Sequence, residues 1–209
     1  LFKLAVDFGV KRIIFSSTGG TLYGYAERLP VSEDAPIKPV CAYGVAKYCV
    51  EQYLDYFKRL YGIEGVVLRF ANVYGPRQDP LGEAGVIAIF TGRILRGEPI
   101  TIFGDGNQTR DYTYVEDVVS ANLLALNRKE GTYNIGTGSE TSVNELVHLF
   151  EKLLGKKIVP VYAAKRQGEV DRIALDIEKA KKELGFEPKY NIEEGIKKTI
   201  EWYKKAFLE

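Results

Sequence analysis

The fold is decided by residues 42–70, AYGVAKYCVEQYLDYFKRLYGIEGVVLRF. After Gly44 the run to Tyr61 holds neither glycine nor proline, and its apolar residues recur at helical spacing. Ala46, Cys49, Tyr53, Phe57 and Leu60 mark one face, and Val50 and Leu54 mark another. A helix apolar on two sides sits between a sheet and a second covering element. GVVLRF (65–70) then reads as a strand, and so does VKRIIFS (10–16) upstream. Strand, helix and strand at this spacing form a βαβ unit, which predicts an α/β fold with a parallel sheet.

Outward from this unit the signals stay local. Residues 1–8 are helical, with Gly9 as the C-cap, and a loop with Pro30, Pro36 and Pro39 separates the first strand from the long helix. ANVYGPRQDP (71–80) reads as a turn-rich loop. Helices follow at 86–96 and 115–126, with short strands at ITIFG, DYTYV and TYNIG (132–136) between and after them. Ser142 with Glu145 forms a capping box for a helix ending near Gly155. IVPVY is a strand, 176–184 is a helix stopped by Gly185, and Asn191 with Glu194 caps the last helix. Elements become short and mixed beyond about residue 80, which predicts a second, smaller α+β lobe.

Composition narrows the classes. The chain has 209 residues, 45% hydrophobic and 27% charged, the balance of a soluble globular protein. A net charge of +1 without a basic stripe argues against nucleic acid as a partner. No apolar run approaches the roughly 20 residues that span a bilayer, so no membrane partner is expected. Two cysteines, Cys41 and Cys49, read as reduced thiols of a cytoplasmic protein, and one histidine leaves no basis for a metal site. The chain has no methionine and opens inside a helical pattern without an N-cap, which leads us to expect an N-terminally incomplete sequence.

Chemistry gathers at two stretches. In FSSTGGTLYG (15–24) an apolar strand ends in three hydroxyls and two glycines, and ligands bind outside the carboxyl ends of such strands. In YGVAK (43–47), Tyr43 and Lys47 stand four apart on one helix face. A nearby ammonium favours phenolate over phenol, so Lys47 is expected to tune Tyr43 as a general base. Alone, a Tyr-x-x-x-Lys spacing has little weight in a chain with 14 tyrosines.

It is not alone. SST followed by YG (16–24), YGVAK, LRFANVYGPRQ (68–78), IFGDGNQTRDYTYVEDV (102–118), YNIGTG (133–138) and RQGE (166–169) occur in that order. On these motifs the chain resembles, over essentially its whole length, the extended short-chain dehydrogenases, in particular the NAD-dependent nucleotide-sugar epimerases and dehydratases. The resemblance implies the later part of a Rossmann-like doubly wound domain in residues 1–80. It implies a substrate lobe in 81–209, with 110–136 returning to the Rossmann domain. It makes Tyr43 the catalytic base, has Lys47 hold the nicotinamide ribose, and has Thr18 order the sugar hydroxyl. Ser16, Ser17, Phe70 and Ala71 would line the nicotinamide side of NAD. Asn72, Arg110 and Arg166 would meet the diphosphate of a UDP-hexose, and Glu169 would accept from the nucleotide ribose. Read without the family, Arg110 pairs with its neighbour Asp111 as readily, and Asn72 caps a turn.

Dehydratases and decarboxylases of this branch carry an acid directly after the Ser/Thr, where this chain has Gly19, Gly20 and Thr21. The glycines let the backbone turn closely past cofactor and sugar. Lacking a carboxylate to expel water, the pattern is similar to UDP-glucose 4-epimerases. The family's G-x-x-G-x-x-G phosphate loop does not occur in the 209 residues, so this chain alone is expected to be inactive. Members of the family pair through a helix at the position of residues 42–61, which implies a homodimer. The nearest rival reading is another nucleotide-sugar epimerase or dehydratase of the same branch, and the rival from another class is a non-catalytic fragment that binds nucleotide sugar or a partner chain.

Overall fold

The computed structural model describes residues 1–82, 84–166 and 168–207. A short helix, α1 (Phe2–Asp7), leads to β1 (Arg12–Thr18), and α2 (Ala42–Tyr61) carries the chain to β2 (Glu64–Phe70). β1 and β2 pair in parallel, from Arg12 opposite Glu64 to Thr18 opposite Phe70, which completes the expected βαβ unit. The chain leaves this sheet through β3 (Asn72–Tyr74), α3 (Val86–Leu95), β4 (Thr101–Phe103), β5 (Thr109–Arg110), β6 (Tyr112–Tyr114) and α4 (Val115–Ala125). It then returns as β7 (Gly131–Ile135), parallel to β2 with Ile135 opposite Phe70. The sheet order is β1-β2-β7. The carboxyl ends of all three strands therefore align at Thr18, Phe70 and Ile135, and one rim of the sheet becomes the natural ligand edge.

The remaining elements are β8 (Thr141–Ser142), α5 (Val143–Leu154), β9 (Val161–Ala163), α6 (Glu178–Leu184) and α7 (Ile192–Phe207). The capping box of α5 forms as read: the Glu145 amide donates to the Ser142 hydroxyl, and the Ser142 amide donates to the Glu145 carboxylate. Asn191 takes the Glu194 amide at 2.9 Å at the start of α7. One expectation fails. ANVYGPRQDP is not loop throughout, because Asn72–Tyr74 pairs in parallel with β6, Asn72 opposite Tyr112. Three residues are too few to show a period, and the partner strand lies far along the chain.

Three apolar cores hold the described residues together, the smallest around Tyr23, Val31, Val170, Ile173 and Leu175. On one face of the sheet, Val66, Leu68, Tyr133 and Ile135 pack against Ala121 and Ala125 of α4 and Ala180 and Leu184 of α6. A second core joins Phe90 and Ile94 of α3, Leu146 and Phe150 of α5, and Ile196 and Ile200 of α7 around Ile102, Tyr112 and Tyr114. The helix α2 packs differently: within it only Gly44, Glu51 and Leu54 are buried. Its Tyr53 and Leu60 face outward, while Phe57 stacks between Tyr61 and Phe2 of α1. Among the described residues no helix is long and apolar enough to cross a membrane.

Candidate active site

At the sheet rim the two chemical stretches meet. Lys47 of α2 donates from Nζ to the Ser16 carbonyl of β1 at 2.8 Å. One turn earlier, Tyr43 is 55% exposed, whereas Thr18 at the strand exit is 8% exposed. Tyr43 and Thr18 share the wall of a cavity of about 440 Å³ with Ser17, Phe70, Ala71, Asn72, Arg110 and Glu169. A second cavity of about 340 Å³ is lined by Asn72, Arg110, Glu169, Arg166, Phe103 and Tyr112. Asn72, Arg110 and Glu169 belong to both walls and so stand where the two spaces meet. Ser16 and Lys47 lie in neither wall and instead contact each other.

The electrostatics correct one expectation. Lys47 does not lower the Tyr43 phenol. Its ammonium is committed to the Ser16 carbonyl and lies 5.7 Å from the Tyr43 ring centroid, over the Phe15 ring as well. Partial burial instead pushes Tyr43 above its ordinary value, with the neighbouring Cys41 adding to the rise.

Arg110 pairs with Glu169, not with Asp111: its Nη2 lies 3.1 Å from Glu169 Oε1. Asp111 is buried and fully engaged elsewhere, accepting from the Thr137 amide and hydroxyl and from the Gly138 and Leu175 amides. This contact ties the RDYTYVEDV motif to YNIGTG. Gly136 is part of it, since a Cβ there would fall 2.4 Å from Asp111 Oδ2. Arg166 lays its guanidinium over the Phe103 ring, 3.9 Å from the centroid. Gln167 of RQGE lies outside the described residues.

The glycine pair divides its work. A Cβ on Gly19 would sit 2.6 Å from both methyls of the buried Leu175, so this glycine answers to packing and not to a turn past a ligand. Gly20 does face the cavity, where a Cβ would lie 3.4 Å from Asn72 Oδ1.

The sequence reading missed a buried polar network beneath the site. Arg69 of β2 binds Glu51 of α2 with Nε at 3.1 Å and Nη2 at 2.7 Å, and the Ser17 hydroxyl donates to the same carboxylate. Arg69 also donates to the Tyr23 hydroxyl, which donates to Asn134 of β7. The available signal was an arginine inside the apolar strand VVLRF, since a buried guanidinium requires an acid partner.

The cavity at Tyr43 is suited to a polar guest. The Thr21 hydroxyl and the Gln78 amide oxygen in its wall are buried without a hydrogen-bond partner. Buried polar atoms are normally satisfied, so such atoms lining a cavity suit a ligand rich in hydroxyls and amides.

Comparison with known proteins gives the family. The family model for the NAD dependent epimerase/dehydratase family matches residues 1–136. The chain belongs to that family. It is similar to a putative UDP-glucose 4-epimerase of Methanocaldococcus jannaschii, 51% identical over 204 residues, covering 98% of this chain and 67% of the relative. It is also similar to the crystal structure of UDP-glucose 4-epimerase with UDP-glucose from Thermotoga maritima, at TM-score 0.97 and 52% identity, covering 100% of this chain and 68% of that one. A third match is the Thermus thermophilus UDP-glucose 4-epimerase in complex with NAD, at TM-score 0.92 and 39% identity, covering 99% and 68%. The chain thus spans about two thirds of the length of these family members. Within the family's NAD-dependent chemistry, the residues present fit the nicotinamide end of the dinucleotide, with a phenol, a lysine and hydroxyls at the ends of parallel strands. They do not include the glycine-rich loop that cradles its pyrophosphate.

Proposed function

We propose that the intact protein epimerises a nucleotide sugar, interconverting UDP-glucose and UDP-galactose at the 4-position. The observation that carries this reading is the shared wall in which Thr18, Tyr43, Asn72, Arg110 and Glu169 face one cavity at the aligned strand ends. Tyr43 takes the proton from the sugar 4-hydroxyl and returns it, and Thr18 orders that hydroxyl by hydrogen bonding. Lys47, anchored on Ser16, holds the nicotinamide ribose beside Ser17, Phe70 and Ala71. NAD, when bound, supplies the hydride acceptor and donor at the sugar carbon. Asn72, Arg110 and Arg166 take the diphosphate, for which the planar guanidinium is the better-shaped donor. Glu169, already set by Arg110, accepts from the nucleotide ribose. Between proton removal and return the 4-keto sugar turns over and presents its other face.

The position after Thr18 supports epimerisation over water loss. Gly19 offers no carboxylate, and Leu175 occupies the space one would need. Incubation of the intact protein with UDP-galactose, followed by separation of the products, tests the reading. UDP-glucose is the expected product, whereas a 4-keto-6-deoxy sugar or carbon dioxide from a sugar acid would overturn it. UDP-N-acetylglucosamine and UDP-glucuronate in parallel reactions establish which sugar is preferred.

A further inference from the structure

The helix that carries Tyr43 and Lys47 is weakly held by apolar packing. Gly44 and Leu54 are its only buried apolar positions among the described residues, and they lie far apart along it. Leu54 packs on Gly65 of β2, and polar contacts join the helix to the sheet nearer the site. Among the described residues, side-chain hydrogen bonds from α2 to β1 and β2 involve two residues, Lys47 and Glu51. Tyr43, Lys47 and Glu51 follow one another at four-residue steps and so form one stripe along the helix.

The Glu51 carboxylate spans two strands. One oxygen accepts from Ser17 of β1 and from Arg69 Nε of β2, and the other accepts from Arg69 Nη2. Ser17 and Arg69 are direct cross-strand partners, and the next pair in register is Thr18 with Phe70, at the cavity. Both partners are buried, Arg69 and Glu51 at 6% exposure each. A buried ion pair gives little net stability over apolar packing of the same shape, and its best-attested use is to specify register.

We infer that Glu51, braced by Arg69 and Ser17, is a positioning residue that sets the axial register of α2. It thereby holds Tyr43 across from Thr18 and Lys47 on the Ser16 carbonyl. The inference rests on the proposed roles of Tyr43 and Lys47. A slip of about one ångström at this interface costs up to roughly 100-fold in rate, because reacting groups leave the productive geometry.

The test uses the intact protein with two changes: Glu51→Gln, which keeps shape and loses charge, and the double variant Glu51→Leu with Arg69→Met, which replaces the pair by apolar groups. Folding is checked by circular dichroism and melting temperature. Expected in both is a kcat lowered about 10–100-fold with KM for the nucleotide sugar within about twofold, a split that general destabilisation does not give. A second readout needs no turnover. Lys47 should be acetylated faster by a soluble anhydride, followed by mass spectrometry, because the Ser16 carbonyl no longer holds it. If the double variant fails to fold, Glu51→Gln alone decides. A folded variant with wild-type kcat and wild-type Lys47 acetylation overturns the inference. A wild-type protein without epimerase activity defeats the functional reading alone, because the acetylation comparison still decides the positioning role.

Discussion

Tyr43 is where residue chemistry and proposed function are in tension. Its phenol is pushed above its ordinary value by partial burial, which disfavours the phenolate a base requires. The proton-accepting form therefore gains with rising pH, and turnover should climb toward the alkaline side instead of levelling near neutrality. Absorbance titration of the 209-residue chain against its Tyr43→Phe variant isolates this group, and a midpoint above the ordinary value of 10.0 is expected. A midpoint well below that value would restore Lys47 as the tuning group. In the intact protein, Tyr43→Phe should lower turnover by about 10²–10⁴-fold while nucleotide-sugar binding survives. Gly19 gives a second prediction at this scale. A methyl at position 19 meets both Leu175 methyls at 2.6 Å, so Gly19→Ala should cost about 1–3 kcal/mol in a urea melt. Leu175→Ala should remove most of that penalty in a double-mutant cycle, whereas additive losses would show that the contact relaxes freely. The sequence shows that Gly19 matters but not why. The motif places it beside a ligand, and only the fold brings Leu175 to it from the far end of the chain. Arg110 repeats the lesson, because its acid is Glu169, 59 residues on, and not the adjacent Asp111.

At the scale of elements, periodicity and caps carried most of the reading. The long helix, its two flanking strands and the Ser142 and Asn191 caps are all signalled by residues within a few positions of each other. β3 escaped because its identity lies in pairing with β6, which no local window contains. The network of Glu51 and Arg69 escaped for a related reason: an acid in a mostly apolar helix looks like a solvent-facing residue until the strand arginine is placed beneath it. The outward face of α2 was legible, and it leads to a prediction. Tyr53 is 60% exposed, and Tyr56 and Leu60 continue the same apolar surface. We propose that this face meets its own copy across a two-fold axis, since large apolar patches are uncommon on soluble monomers. Sedimentation equilibrium of the intact protein should give a dimer, and Tyr53→Glu with Leu60→Glu should give a folded monomer. An unchanged dimer in the double variant would move the interface elsewhere.

The whole molecule brings both lines together. The cavity walls at Tyr43 and Arg166 are assembled from β1, α2, β2, β3, β5, β6 and the segment around residue 169, so on the proposed reading the nicotinamide end of NAD and the nucleotide sugar have residues to meet. The pyrophosphate has none, because backbone amides of a glycine-rich loop at a helix start are what hold it in parallel folds, and no such loop occurs in these residues. Among the described residues β1 is the outer strand of the sheet, and in the 209 residues taken alone that edge is open to pairing with another chain. The helix α1, which precedes β1 in the chain, exposes Leu4, and Phe8 follows it into solvent, which adds apolar surface. We propose that residues 1–209 taken alone neither retain NAD nor epimerise, and that they associate through this edge. Calorimetry with NAD should show no saturable binding at millimolar concentration, and light scattering should show species heavier than the α2-linked dimer. Substituting Ile13→Lys and Phe15→Lys on β1 should reduce those species without restoring NAD binding, which separates edge association from loss of the cofactor site. A soluble 209-residue dimer that binds NAD tightly would show that the nicotinamide end and the parallel strand ends suffice to hold the dinucleotide.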